Sequence, residues 1–411
     1  MRRMLKMLVA VAAIVLLLPG SLGPGTVLAE NTVDSLALLW SKSDGHNATL
    51  WSVRWSPDGS MISGAFFDNT TVIWNSTTGE RIVKLGSHAN STREGRTRCD
   101  GNQSCLIPGH VPTRITAWSP DGRFLAVGGD VKDIYIFNTT NWRVEGVLKG
   151  HEGSVLTLGF SPNGSLLASG SGTDKVAMHN VPENMIKIWD FNKRTAIANL
   201  TGHKDGVMEV KWSPDGSLLA SASDDKTIKL WNATTWGIAA TLTGHAGGVL
   251  SVDWSPDQKF LVSGSRDYKM RLWNLMTGQS TVWQAPNCVR SVDYHHARPV
   301  ILASGVSDSM IMIRNSTTGA VLKTLDENRG PAGPVGSIMS ARWSPDGKMM
   351  AAASGKEETV RVYAFGLGHP SVQPLIPDWL VGVILFVVGI IVATMATFLI
   401  MARRTRKIER R

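Results

Sequence analysis

The middle of the chain is written in short bursts of alternating apolar and polar positions, separated by turn residues. The stretch KWSPDGSLLASASDDKTIKLWN, residues 211–232, holds three such bursts. A Pro-Asp-Gly turn divides the first two, and a tight acidic turn leads into the third, which closes on Trp231. Alternation at period two between such turns predicts antiparallel strands rather than helices. Much the same line recurs at 54–75, 117–138 and 253–274. The third-strand endings fall at Trp74, Phe137, Trp189, Trp231, Trp273, Arg314 and Tyr363, spaced by 63, 52, 42, 42, 41 and 49 residues. A basic period near 42 residues predicts one small sheet per repeat. Such a sheet has two apolar faces and cannot bury both alone, so neighbours must stack. A radial ring does this while leaving only short edges.

Gly-His pairs at Gly150-His151, Gly202-His203 and Gly244-His245 precede three of the units, and IKIWD closes one of them at Trp189-Asp190. With these residues the chain resembles the WD-repeat β-propeller family. The resemblance implies an all-β, seven-bladed propeller within residues 30–365. Blades four and five match the full pattern. Blade six departs most, with HHARP in place of SPDG and Arg314 in place of the closing Trp. The last unit ends on its third strand, so the ring needs a fourth from elsewhere. Residues 35–40, SLALLW, are strand-like and otherwise unpartnered. They are expected to supply the outer strand of blade seven, an arrangement common in the family.

His203, Ser221, Asp225 and Trp231 invite a nucleophile–base–acid reading. The set recurs at the same offsets as His245, Ser263, Asp267 and Trp273, and a catalytic triad is rarely duplicated one repeat later. The resemblance implies a structural network instead, in which the His ring bonds to the turn Asp while the Ser and Trp donors complete the chain. Buried polar groups need such partners. His295 and His296 are adjacent on an extended segment, which sends their side chains to opposite faces and makes poor metal-ligand geometry. No metal, cofactor or catalytic residue is expected, and the chain is read as a non-enzyme.

The formal charge of +9 points toward nucleic acid until it is located. Arg2, Arg3 and Lys6 lie at one end, and Arg403, Arg404, Arg406, Lys407, Arg410 and Arg411 at the other, which leaves the middle nearly neutral. A nucleic-acid binder carries its basic stripe on the folded part. Both ends instead read as membrane signals. Residues 1–29, a basic start followed by a short apolar run and small residues, are expected to be a signal peptide. Residues 380–401 are 22 positions without a charge, long enough at ~1.5 Å per residue to span a bilayer core. They predict a transmembrane helix over 379–402, reached by a linker at 366–378 and followed by a basic tail at 403–411. The positive-inside rule puts that tail in the cytoplasm and the propeller outside, at the cell membrane.

An outside location changes how other residues read. Asn47, Asn69, Asn75, Asn90, Asn102, Asn138, Asn163, Asn199, Asn232 and Asn315 all stand in Asn-x-Ser/Thr motifs, expected as glycosylation sites where the turn chemistry of Asn is not their whole explanation. Cys99 and Cys105 form a candidate disulfide in a polar loop, while Cys288 reads as a partly buried free thiol. Two insertions, 86–108 and 175–184, lengthen loops on the rim that carries the entries to the first strands. The first insertion holds Arg93, Arg96 and Arg98, candidate partner-binding residues. The function expected from all this is a membrane-anchored, extracytoplasmic scaffold for a protein partner or a surface glycan. The competing expectation is a hydrolase- or lyase-type propeller working at the mouth of its central channel.

Overall fold

The computed structural model describes residues 35–43, 48–86, 104–105, 112–130, 132–172, 183–296, 298, 300–306, 310–326, 338–355 and 358–366. All of them belong to one compact unit, Val33–Gly366. The expected signal peptide, linker, transmembrane segment and tail lie outside the described residues, as do Arg93, Arg96, Arg98, Cys99, Asn47, Asn90 and Asn102. Among the described residues no helix is long and apolar enough to cross a membrane.

The described residues form seven antiparallel sheets. Sheet one comprises Leu50–Trp55, Met61–Phe66, Thr70–Asn75 and Arg81–Gly86, with the two-residue strand Ser104–Cys105 added in parallel at its edge. The first strands of sheets two to six are Thr113–Trp118, Ser154–Phe160, Val207–Trp212, Val249–Trp254 and Ser291–Tyr294. Sheet seven takes three strands from the end of the unit, Ile338–Trp343, Met349–Ser354 and Thr359–Gly366. Its fourth is Ser35–Ser43, which pairs antiparallel with Thr359–Gly366. The first strands touch one another in cyclic order, and that of sheet seven returns to that of sheet one.

Each turn in the repeat has a local cause. Ser213 donates to the Asp215 carboxylate at 2.6 Å and accepts the Leu218 amide at 2.9 Å, sealing the first hairpin. Ser56–Asp58, Ser119–Asp121, Ser161–Asn163, Ser255–Asp257 and Ser344–Asp346 repeat the pairing. The fourth turn position sits at φ +73 in Gly216, which glycine tolerates without strain. In sheet six this turn is absent from the sequence. There His295 is buried against Trp343 and Phe365, and its Nε2 lies 3.1 Å from the Gly347 carbonyl.

The core lies between sheets. Ile186, Ile188 and Leu200 of sheet three pack on Val207, Val210, Trp212, Leu219 and Trp231 of sheet four. First-strand tryptophans also stitch neighbours: Trp55 donates to the Arg342 carbonyl, Trp118 to Ser63, Trp212 to the Gly159 carbonyl and Trp254 to the Lys211 carbonyl. At the seam, Trp40 is buried and donates to the Ser76 carbonyl at 2.8 Å, tying the closing strand to sheet one. The fold is an all-β propeller of repeated sheets.

Candidate interaction site at the channel mouth

The first strands share an irregularity that builds a site. In six sheets the register slips by one residue near the start of the first strand, stranding Trp51, Arg114, Leu156, Met208, Leu250 and Met339. A bulge re-aims the extra side chain. Arg290, just ahead of Ser291, holds the corresponding place in sheet six. These seven residues line a cavity of about 240 Å³ at the mouth of the central channel. Asp224 and Arg266, from turns between second and third strands, join the lining. The rim is therefore apolar and cationic at once.

Most of its charges are already matched. Arg114 is buried, donates twice to Asp130 and stacks 4.9 Å from the Trp51 ring centroid. Arg266 Nε donates to Asp224 at 3.0 Å. Other donors at the mouth have no partner among the described residues: the Trp51 indole N–H, the Ser52 hydroxyl, and the Nε–H groups of Arg290 and Arg342.

One layer deeper the channel is bridged. Glu209 of sheet four reaches across it to Arg342 of sheet seven at 2.5 Å and faces Arg54 of sheet one at 3.5 Å. Burial would raise the Glu209 carboxyl, but Arg342, Lys211 and Arg54 outweigh it and hold the group below its ordinary value. Burial, followed by the neighbouring Arg342, pulls Arg54 down to about 10. Burial pushes Asp293 up, only partly offset by Arg342. Its two oxygens nevertheless face Arg342 and Lys211 on one side and the Trp343 amide on the other. Neither Asp253 nor Asp293 lines the cavity. The layer is a balanced set of three cations and three carboxylates, Arg54, Lys211, Arg342, Glu209, Asp253 and Asp293.

The repeated polar sets lie elsewhere, inside individual sheets. His203 places Nδ1 2.8 Å from Asp225 and Nε2 2.8 Å from Ser221, to which Trp231 also donates. His245, Asp267, Ser263 and Trp273 make the same chain. Burial would raise Asp225, but the His203 and Thr227 bonds hold it far below the usual carboxylate range. A third network was missed in the sequence. His151 bonds Ser169 at 2.7 Å and Glu183 at 3.2 Å, and Trp189 donates to the same serine. Glu183, counted within the 175–184 insertion, does the work of the turn aspartate. The available signal was its position six residues before Trp189, as Asp225 stands six before Trp231. Sheet one lacks the network because Gly64 stands where a serine would, and the buried Trp74 N–H is left without a partner. In sheet six Arg314 is buried in the tryptophan's place and donates to the Gly319 and Gln284 carbonyls.

Several other expectations can be placed. Asn69 is buried, in a turn at φ +69, which sets it apart from the other sequons among the described residues. Asn75, Asn232 and Asn315 accept two backbone N–H groups in the turn after a third strand, as does Asn274, which is no sequon. Turn chemistry accounts for asparagine at all four. Asn138 accepts the Thr140 amide and donates to Glu145, while Asn163 and Asn199 are exposed. Cys288 is a free, buried thiol, and burial pushes it up. Among the described residues no group of His, Cys, Asp and Glu could hold a metal ion.

Comparison with known proteins agrees with this architecture. The family described as "WD domain, G-beta repeat" matches at residues 38–75, 101–136, 142–190, 194–232, 236–274 and 321–363, together more than half the chain. The unmatched span between 274 and 321 carries sheet six from its first strand to its third. A WD repeat-containing protein SL1-17 of Schistosoma mansoni is 30% identical over 210 residues, 51% of this chain and 59% of that protein. The protein transport protein sec13 of Aspergillus fumigatus is 28% identical over 201 residues, 44% of this chain and 62% of that protein. Cell division cycle 20.5, cofactor of APC complex, of Arabidopsis thaliana is 29% identical over 188 residues, 44% and 36% respectively. The chain thus spans less than two thirds of each of these relatives. Repeat pattern, ring of sheets and family match coincide, and the chain belongs to the WD40 family.

Proposed function

We propose that this chain is a non-catalytic scaffold whose protein partner docks on the channel mouth. The observation that carries the reading is the set of six bulged first-strand residues which, with Arg290 ahead of the first strand of sheet six, turns an apolar and cationic ring outward. Relatives whose names place them in protein transport or in a complex support a role in assembly. A surface glycan is the less favoured ligand, because the mouth is rich in Met, Leu and Arg. The channel layer offers an enzyme little, since its carboxylates are paired with cations.

Three finer points complete the proposal. The seven sheets are read as seven blades, six carried by matched repeats and one by the diverged sheet six. Residues 380–401, uncharged and followed by six Lys/Arg, support a single membrane span with the propeller outside. Exposed Asn163 and Asn199 are then the most accessible glycosylation sites among the described residues.

The test is affinity capture with the detergent-solubilised full chain from a membrane extract. Met208→Asp with Met339→Asp puts two charges on the apolar ring. Met276→Asp alters the most exposed large apolar side chain among the described residues, on the opposite rim. Loss of a specific protein with the first variant, and its retention with the second, supports the reading. The reverse pattern defeats it.

A further inference from the structure

We infer that the channel mouth takes an acidic side chain of the partner, held in the cavity by orphaned donors while apolar neighbours pack on the ring around it. The inference rests on the docking proposed above and deepens it. Five arginines and two carboxylates line the cavity: Arg54, Arg114, Arg266, Arg290 and Arg342 against Glu209 and Asp224. After internal pairing the excess is positive. Arg290 is half-buried, makes no ion pair among the described residues, and its buried Nε–H has no acceptor among them.

Three of the four unpartnered groups can only donate, and the fourth, the Ser52 hydroxyl, can donate as well. The indole of Trp51 and the Nε groups of Arg290 and Arg342 donate and cannot accept. Ser52 and Arg342 are more than nine-tenths buried, so water does not satisfy them freely. A buried donor left unmade is costly, and a charged acceptor repays it best. The cavity volume of about 240 Å³ falls below the range of small-molecule sites, ~300–1,000 Å³, which suits one side chain rather than a cofactor. Trp51, Met208, Leu250 and Met339 stand around it, giving the flanking residues of a peptide an apolar seat. Glutamate or aspartate between apolar residues is the complementary pattern.

A random library of linear twelve-residue peptides, panned on the detergent-solubilised full chain, reads this preference directly. The parent, Arg290→Met, Arg290→Lys and Met208→Asp forms are panned in parallel, each checked for an unchanged melting temperature. Peptides enriched on the parent should carry Asp or Glu next to apolar residues. Changing that acid to its amide should weaken binding about tenfold to a hundredfold. Arg290→Met should abolish the acidic enrichment and Arg290→Lys should restore part of it. Enrichment without acids, or acids equally enriched on Arg290→Met, overturns the inference. If such acid-independent peptides are lost on Met208→Asp, docking at the mouth survives alone. If no enrichment depends on either substitution, both readings fall.

Discussion

One carboxylate oxygen of Glu183 collects the His151 ring and the amides of Glu152 and Gly153. Burial works against ionisation there, yet the His151 bond and the backbone donors hold the group down to about 2 from 4.5. A depressed carboxyl stabilises the fold fully above its unfolded value and loses that contribution as pH falls through the folded one. The melting-temperature gap between parent and Glu183→Gln is therefore expected to be full above pH ~4.5 and to close toward pH ~2. A gap constant over that window would refute the ionic role. In sheet four, Asp225→Ala leaves His203 short of a partner and is expected to cost about 1–3 kcal/mol in a denaturant titration, with peptide binding at the mouth unchanged. Binding lost from a fully folded Asp225→Ala protein would move function into the sheet networks. At His203 and His245 the repeat argued against a triad by writing the set twice at equal spacing, and the family resemblance implied the network. Glu183 was not, because the insertion stretches its distance from Ser169 and hides its unchanged distance to Trp189. Arg290 could not be read at all. Its meaning depends on six other first strands meeting around one channel.

Among elements, the closing strand bears the largest consequence. Trp40 is 8% exposed, and its indole bond reaches the Ser76 carbonyl, so one side chain fastens the outer edge of sheet seven to sheet one. Trp40→Ala is expected to lose about 3–5 kcal/mol in a urea titration, and deletion of residues 35–40 to expose a sheet edge and cause aggregation. A deletion that melts like the parent would mean the ring holds without this strand. The sequence pointed to this element through a shortage: the last unit has three strands, and one strand-like run before the first unit had nothing to pair with. The bulges gave no such hint. An extra residue at the start of a strand looks like ordinary alternation until its partner's register is known.

Across the whole molecule, Glu209 joins opposite sides of the ring, with Arg342 and Arg54 as its counterions. Glu209→Gln leaves the buried Arg342 and the part-buried Arg54 undercompensated and is expected to cost about 3–5 kcal/mol. Adding Arg342→Met should recover part of that loss, and a double mutant no better than the sum of the singles would deny the coupling. At the same scale, protease added to intact cells is expected to degrade the ring and spare a fragment containing residues 380–411, whereas a protected ring would reverse the proposed orientation. The central claim is that the partner sits on the channel mouth. A photo-crosslinking residue placed at Met339, on the mouth, and separately at Met276, on the opposite rim, tests it in living cells. The account predicts a discrete cross-linked protein from Met339 that is absent from Met276. The same product from both positions, or from Met276 alone, would contradict it.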